Sequence, residues 1–251
     1  MHHAMSVLVS GVLALSVMAN AGSVAAAEIT ILGSMGNITG IRALASVFEV
    51  ASGHKVIATQ EANVMTKVNA GAPADIVTGS PMLIDDLIKS GKVISGRVDW
   101  ARAGIGVAIK KGAPKPDLRN TEGFVRMLRN VKSIGYSSVG SGQMVANIIK
   151  TLGLEDELKT KTKRLDGFPA AEAVARGEVE IAMQQINVIL PVEGAELAGP
   201  LPRELQMYNP FAAGVLKTSK EVEVAYMMLN FMGGPQNTAF LTRIGMEPPE
   251  F

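Results

Sequence analysis

The stretch NAGAPADIVTGS, residues 69–80, contains the signals that decide the fold. Gly71 favours the left-handed backbone conformation with which many helices end. Residues 75–78 form a short, mainly apolar run that is typical of a parallel strand covered on both faces. Ser80 and Pro81 are typical of the N-cap and the first position of a new helix. The stretch therefore predicts a helix end, a buried strand and a helix start in direct succession.

The same alternation of short apolar runs and amphipathic segments extends over the rest of the chain. We predict strands at 28–32, 55–59, 75–78, 133–136 and 180–183, and a further strand through Ile105, Val107 and Ile109. We predict helices at 41–52, 64–70, 82–90, 121–130, 142–152, 170–176, 221–231 and 236–243, with a loop at 33–38. Alternating strands and helices predict an α/β fold with a parallel sheet. Ligands of such sheets bind at the carboxyl ends of the strands, where Ser80 would lie.

The first 27 residues have the pattern of an export signal. Residues 7–18 are apolar or small throughout, and Ala25 and Ala27 provide small residues at the cleavage-recognition positions. Residues 1–4 contain no lysine or arginine, unlike an ordinary signal, and a mis-assigned start codon would explain that. A membrane anchor is the alternative, but Gly11, Ser16, Asn20 and Gly22 interrupt the apolar run. We therefore expect cleavage after Ala27 and a periplasmic location.

Composition excludes several kinds of site in the remaining 224 residues. The net charge of +1 gives no electrostatic footprint for nucleic acid or an anionic membrane. The absence of cysteine excludes thiolate catalysis, disulfides and cysteine-ligated metals. His54 is the one histidine after the signal, and we expect it to be a solvated turn residue rather than a metal ligand. With 4% aromatic residues, a small oxyanion or carboxylate fits better than a sugar, and no cofactor or metal is expected.

Four motifs in the order found here resemble a known family. They are GAPADIVTGS, ARAGIGVAIKKGAPKPDL, AEAVARGEVEIAMQQ and GPLPRELQ. Together they resemble the molybdate-binding-like branch of the type 2 periplasmic substrate-binding proteins of ABC transporters. The resemblance implies two α/β lobes joined by two crossover strands, with the ligand in the cleft between them. It implies a first lobe at 28–104 plus 211–251, and a second lobe at 105–210 that includes the second crossover.

The resemblance also implies an anion pocket built from hydroxyls and from N–H groups at helix starts. Ser34 matches the serine that follows the first strand in the family, and the glycine-rich loop 140–143 is its counterpart in the second lobe. The predicted ligand-binding residues are Ser34, Asn37, Gln60, Asn63, Ser80, Arg102, Ser141, Gln143, Gln185 and Tyr208. The alternative is an ordinary turn serine for Ser34, a flexible turn for the loop 140–143, and surface positions for Gln60 and Gln185.

The departures from the family pattern concern the ligand. Molybdate-specific relatives have a serine-rich run where residues 60–63 read QEAN, and a ligand-facing tyrosine near Gln185. Amides both donate and accept hydrogen bonds, whereas a tetrahedral oxyanion needs donors alone. Arg102, placed just before the presumed crossover, could bind a carboxylate with two parallel hydrogen bonds. Its alternative is a hinge-surface arginine paired with Asp99 or Glu247.

Two classes of function remain open. The chain is expected to be a monomeric binding protein that delivers a small anion, an organic carboxylate rather than molybdate or tungstate, to an ABC permease. The alternative is an aconitate isomerase, since some exported proteins resembling this family have that activity. A molybdate- or tungstate-binding protein is a further alternative. An isomerase needs a base, for which the sequence offers Glu61, Asp166 or a tyrosine. No acid–base pair with clear spacing is evident, so binding is the leading prediction.

Overall fold

A computed structural model describes residues 26–94 and 96–250 of the chain. The predicted export signal lies outside the described residues, apart from Ala26 and Ala27. The strands are β1 (Glu28–Gly33), β2 (Lys55–Gln60), β3 (Ile76–Gly79), β4 (Val98–Lys110), β5 (Ile134–Tyr136), β6 (Thr162–Arg164), β7 (Ile181–Gln185), β8 (Ala195–Pro200) and β9 (Tyr208–Val215). The helices are α1 (Met35–Ser52), α2 (Val64–Asn69), α3 (Pro81–Lys89), α4 (Thr121–Asn130), α5 (Ser141–Thr151), α6 (Glu155–Leu158), α7 (Ala170–Ala175), α8 (Ile186–Ile189), α9 (Val222–Gly233) and α10 (Thr238–Arg243).

The strands form one sheet in two halves that share β4. Its order is β2-β1-β3-β9-β4-β7-β5-β6, with β8 also paired to β4. The beginning of β4, up to Gly104, pairs with β9, and from Ile105 onward it pairs with β7 and β8. We call the β2-β1-β3-β9 side with its helices the first lobe, and the β7-β5-β6 side with β8 and its helices the second lobe.

The change of partner along β4 is stabilised by a side chain. Gln206, in the segment that leads from β8 to β9, accepts a hydrogen bond from the Ile105 N–H at 2.9 Å. Its Nε2 donates to the Ile105 carbonyl at 3.0 Å. The carboxamide thus takes the place of a neighbouring strand where backbone pairing is interrupted. The two connections, β4 and the segment ending in β9, are the expected crossovers.

Each lobe has its own hydrophobic core. In the first lobe Ile31, Ile41 and Trp100 are fully buried between the sheet and α1 and α9. In the second lobe Ile105 and Phe124 are fully buried between the sheet and α4 and α5. Two separate cores are what two lobes that move about a hinge require. The boundaries at 104/105 and 210/211 stay a prediction, which the partner change at Gly104 supports.

The predicted α/β architecture is confirmed, but two local predictions were wrong. Residues 33–38 are not a loop, because α1 begins at Met35 and Asn37 Oδ1 accepts a hydrogen bond from the Ser34 N–H at 2.9 Å. His54 is not solvated: it is 6% exposed, and its Nδ1 accepts from the Ala27 N–H at 3.1 Å. β6, β8, β9, α6 and α8 were not predicted. Within residues 26–94 and 96–250, no helix is both long and apolar enough to span a membrane.

Candidate functional site

A cavity of about 400 Å³ lies between the two lobes. It opens at the carboxyl ends of the parallel strands β1 and β2 on one side and β5, β6 and β7 on the other, as α/β topology predicts. Its polar lining consists of Ser34, Gln60 and Glu61 from the first lobe, Ser137, Ser138, Ser141, Asp166, Gln184 and Gln185 from the second, and Asn209 from β9. The volume lies within the range of pockets that hold organic ligands.

The N-terminus of α1 forms the first-lobe wall of the cavity. Ser34 is the N-cap of this 18-residue helix, and Met35 and Gly36 follow it in the lining. No hydrogen-bond acceptor is found for the Met35 and Gly36 N–H groups within the described chain. The first N–H groups of a helix have no partner within the helix, and the helix dipole adds partial positive charge there. This wall is therefore suited to a negatively charged group.

The N-terminus of α5 forms a corresponding wall in the second lobe. The loop 137–140 follows β5 directly, and Gly140 has φ +57°, which glycine adopts readily. In the part of the chain that the structure covers, the Gly140 and Ser141 N–H groups likewise have no acceptor. Two helix starts, one from each lobe, thus line the same cavity with unpaired donors.

Gln185 contributes a further donor, from a side chain, that no described residue satisfies. It is the last residue of β7, is 3% exposed and lines the cavity. Its Nε2 has no hydrogen-bond partner among the described residues. Leaving such a group unpaired costs about 1–3 kcal/mol, so a ligand atom is its natural acceptor. Its neighbour Gln184 differs, because its Oε1 accepts from the Ala171 N–H at 2.6 Å and holds the start of α7.

The charged side chains that line the cavity are the carboxylates of Glu61 and Asp166. Asp166 accepts a hydrogen bond from the Ser138 N–H at 2.7 Å, and hydrogen bonding by Ser138 lowers the pKa of Asp166 below its usual value. Glu61 lies on the opposite lobe with Lys67 at 3.5 Å. Among the lining residues in the described ranges there is no lysine or arginine. Anion binding here would rest on N–H groups, hydroxyls and amides.

The structure brings four of the predicted site residues together and places the other six elsewhere. Ser34, Gln60, Ser141 and Gln185 line the cavity. Asn37 is fully buried behind Ser34, where it contacts Thr78. Asn63 and Ser80 cap α2 and α3, Gln143 bonds Asn147 on the α5 surface, and Arg102 and Tyr208 lie together at the hinge. We therefore propose no ligand-binding role for these six residues.

Arg102 forms ion pairs at the surface of the hinge, as expected if it does not bind the ligand. Its guanidinium pairs with Glu247 at 2.9 Å and with Glu250, and it lies 4.1 Å from the centre of the Tyr208 ring. The Arg102 N–H donates to the Glu247 carbonyl at 2.9 Å, and the Glu247 N–H donates back at 2.8 Å. Burial and the neighbouring Glu247 raise the pKa of Tyr208. Arg102 therefore joins β4, β9 and the C-terminal segment.

Several lining residues were not named as ligand-binding from the sequence. Ser137 and Ser138 directly follow β5, which is the same position that Ser34 has after β1, so that signal was available. Phe168 and Asn209 had no comparable signal, because their place in the cavity depends on how the lobes meet.

Within 26–94 and 96–250, no group of three or more histidine, aspartate or glutamate side chains could hold a metal ion.

Comparisons with known proteins agree with this architecture. A relative from Pseudomonas sp, named aconitate isomerase, is 27% identical over 229 residues, which is 88% of this chain and 87% of the relative. The periplasmic molybdate-binding protein of Azotobacter vinelandii superposes with a TM-score of 0.73 at 19% identity, over 88% of this chain and 100% of that one.

A substrate-binding domain of a molybdenum ABC transporter from Clostridium difficile has a TM-score of 0.71 at 15% identity, over 90% of this chain and 100% of that one. At these identities the two structures support the fold alone, which is the two-lobed fold of type 2 periplasmic binding proteins. The sequence profile described as "Bacterial extracellular solute-binding protein" matches residues 29–247. The chain therefore belongs to the family of bacterial extracellular solute-binding proteins.

Proposed function

We propose that this chain is an extracytoplasmic solute-binding protein that captures a small organic carboxylate between its lobes for import by an ABC transporter. Export to the periplasm after cleavage at Ala27, a monomeric state and delivery to an inner-membrane permease belong to the proposal. The family membership supports the solute-binding part. The lining of the cavity supports the chemical class of the ligand.

The observation that carries the proposal is the buried, unpaired Gln185 Nε2 beside two helix N-termini. Hydrogen bonds from backbone N–H groups and amides to an ionised oxygen are stronger than those between neutral groups. The donors come from both lobes, so one anion can be held by both and stabilise their approach. A carboxylate oxygen accepting from Gln185 satisfies a donor that otherwise remains desolvated and unpaired.

The cavity favours an organic acid over a tetrahedral metal oxyanion. Its volume of about 400 Å³ is more than ten times the share of one water molecule in the liquid, about 30 Å³. Glu61 and Asp166 also line it, and ionised carboxylates accept hydrogen bonds but cannot donate them. An oxyanion without hydrogen-bond donors would face both carboxylates unfavourably, whereas an organic molecule can turn polar or apolar parts toward them.

The test is a thermal-shift and calorimetry panel of small carboxylates against molybdate, tungstate and sulfate. We expect stabilisation by one or more carboxylates, because a ligand at 100 times its dissociation constant adds about 2.7 kcal/mol. Gln185→Met keeps the size of the side chain without its donor and should weaken binding about ten- to a hundredfold. Gln143→Met, at an exposed position outside the cavity, is the control. Stabilisation by molybdate alone would contradict the proposal.

A second candidate function, isomerisation of aconitate, has one observation in its favour. Glu61 and Asp166, both named above as candidate bases, line the same cavity from opposite lobes. A base there could remove a proton from the carbon beside a carboxylate of the substrate. Return of the proton to a different carbon moves the double bond without any other reactant. The named activity of the Pseudomonas relative supports testing this reaction.

The isomerase candidate is tested by following ultraviolet absorbance of cis- and trans-aconitate with purified protein. If the chain is an isomerase, either isomer should relax to the same mixture at a rate proportional to protein concentration. If Glu61 is the base, Glu61→Gln should abolish turnover while leaving the melting temperature close to wild type, since the ion pair lost is with Lys67, whose side chain is half exposed. Unchanged absorbance at high protein concentration would exclude this function and leave binding.

A further inference from the structure

Asp166 is held in a fixed orientation beside the second-lobe anion wall. It follows β6 by two residues and lies at the exposed rim of the cavity. One carboxylate oxygen, Oδ1, accepts from the Ser138 N–H at 2.7 Å. Ser138 lies in the same loop as Gly140, whose N–H is one of the unpaired donors. A ligand carboxylate bound at the start of α5 would therefore have Asp166 as a near neighbour.

Asp166 forms no salt bridge within the described ranges. It has no lysine or arginine partner at 4 Å or less there, whereas Glu61 has Lys67 at 3.5 Å. The hydrogen bonds from Ser138 lower the pKa of Asp166, which keeps it ionised. Arg164 lies over the Tyr136 ring at 4.2 Å and contributes a weaker, longer-range attraction that also lowers the pKa of Asp166. Asp166 is consequently able to accept a hydrogen bond from a ligand that displaces its water.

We infer, building on the proposed function, that the ligand is a hydroxy acid and that Asp166 determines this specificity by accepting a hydrogen bond from the ligand hydroxyl. Without such a donor, the ligand carboxylate and Asp166 would be two like charges brought together as the lobes cover them, which is unfavourable. A hydroxyl between them removes that cost and uses the free oxygen of Asp166.

A hydroxyl fits this position better than an ammonium. An ammonium has three N–H donors, and each needs an acceptor once the ligand is covered. Asp166 offers one carboxylate, and the other carboxylate of the lining, Glu61, belongs to the opposite lobe and already has Lys67. A single O–H donor is satisfied by Asp166 alone, whereas an ammonium would also need acceptors from the neutral groups of the lining, so the inferred class is hydroxy acids rather than amino acids.

The test compares acids that differ only in whether one carbon atom carries a hydroxyl, an ammonium or a hydrogen. Calorimetry is run with propionate, lactate and alanine, with succinate, malate and aspartate, and with tricarballylate and citrate. In the chain length that fits, the hydroxy acid should bind at least about tenfold tighter than its deoxy and amino analogues, because a site built for a hydroxyl rejects ligands that lack it. The preference should persist from pH 8 down to about 5, since Asp166 stays ionised over that range.

Asp166→Asn keeps the shape and the acceptor for the Ser138 N–H, but turns an N–H₂ group toward the cavity. The preference for the hydroxy acid should then fall to within about threefold, because the amide can donate to a carboxylate. Asp156→Asn removes the same charge from the exposed surface of α6 and should leave the preference unchanged.

Three other outcomes would contradict the inference while leaving the proposed function intact. Equal binding of hydroxy and deoxy acids would overturn the inference and leave the proposed function intact. Tighter binding of the amino acid, or an unchanged preference in Asp166→Asn, would do the same. If none of the acids binds the wild-type protein, the proposed function and the inference both fail.

Discussion

At the scale of single residues, the site depends on a contact between Gly36 of the first lobe and Gln185 of the second. A Cβ atom at Gly36 would lie 2.5 Å from Gln185 Oε1, which no real Cβ contact tolerates. Glycine therefore lets the start of α1 approach the carboxamide closely. The Gln185 carboxamide, whose Nε2 carries the proposed function, thus packs against the start of α1 from across the cleft.

Gly36→Ala should weaken ligand binding without destabilising the fold. The added methyl group would displace Gln185, whereas alanine favours the helix over glycine by up to about 1 kcal/mol. Calorimetry should show weaker binding, and urea unfolding should show equal or greater stability. Gly199→Ala, which would place its Cβ 3.3 Å from the end of the Leu118 side chain, is the matched control outside the cavity. An unchanged affinity in Gly36→Ala would show that the close contact has no role in binding.

At the scale of secondary-structure elements, Arg102 connects three segments that are distant in sequence. It lies on β4, stacks on Tyr208 of β9 and pairs with Glu247 in the C-terminal segment. A reciprocal pair of backbone hydrogen bonds between Arg102 and Glu247 continues the sheet there. These contacts fix the C-terminal segment to the hinge strands rather than to the ligand.

Arg102→Ala should lower the free energy of unfolding by about 1–2 kcal/mol, through loss of the partly buried ion pair and the cation–π contact. Ligand affinity should change by less than about threefold, because Arg102 does not line the cavity. Denaturant unfolding and calorimetry measure the two quantities on the same sample. A tenfold or greater loss of affinity at unchanged stability would instead support the carboxylate clamp considered from the sequence.

The strands β1, β2 and β3 and the helices that follow them were predictable because each has its own local signal, although α1 begins six residues before the predicted start. Ser34, directly after β1, and Gln185, the last residue of β7, could be found from the sequence because strand ends form the site in α/β sheets. Asn37 and Arg102 could not be assigned, because burial behind α1 and the approach of the C-terminal segment depend on contacts between distant segments. For the same reason β9, which pairs antiparallel with β3 and β4, was missed.

At the scale of the whole molecule, the lobes contact each other beside the ligand cavity through Asn187. This residue, at the start of α8, is 2% exposed. Its Nδ2 donates to the Gly36 carbonyl at 2.9 Å and to Thr39 Oγ1 at 3.0 Å, both on α1. A ligand at the start of α1 and Asn187 would thus both contact this helix. The expected motion is closure of the two lobes about β4 and the segment before β9.

Asn187→Ala should open the ligand-free protein, because it removes the two hydrogen bonds that the Asn187 side chain donates to α1. Small-angle scattering should show a larger radius of gyration than wild type without ligand, and saturation with ligand should reduce the difference. Asn147→Ala, at an exposed position on α5, is the control. An identical radius of gyration in both variants and wild type would mean that Asn187 does not hold the lobes together.

The central claim, that the cavity holds an organic carboxylate, is tested most directly by native mass spectrometry of protein purified from periplasm without refolding. We predict one bound small molecule per chain, with the mass of an organic acid, released on denaturation and depleted in Gln185→Met, whose donor is missing. A bound species with the isotope pattern of molybdenum or tungsten, or the mass of sulfate, would contradict the claim.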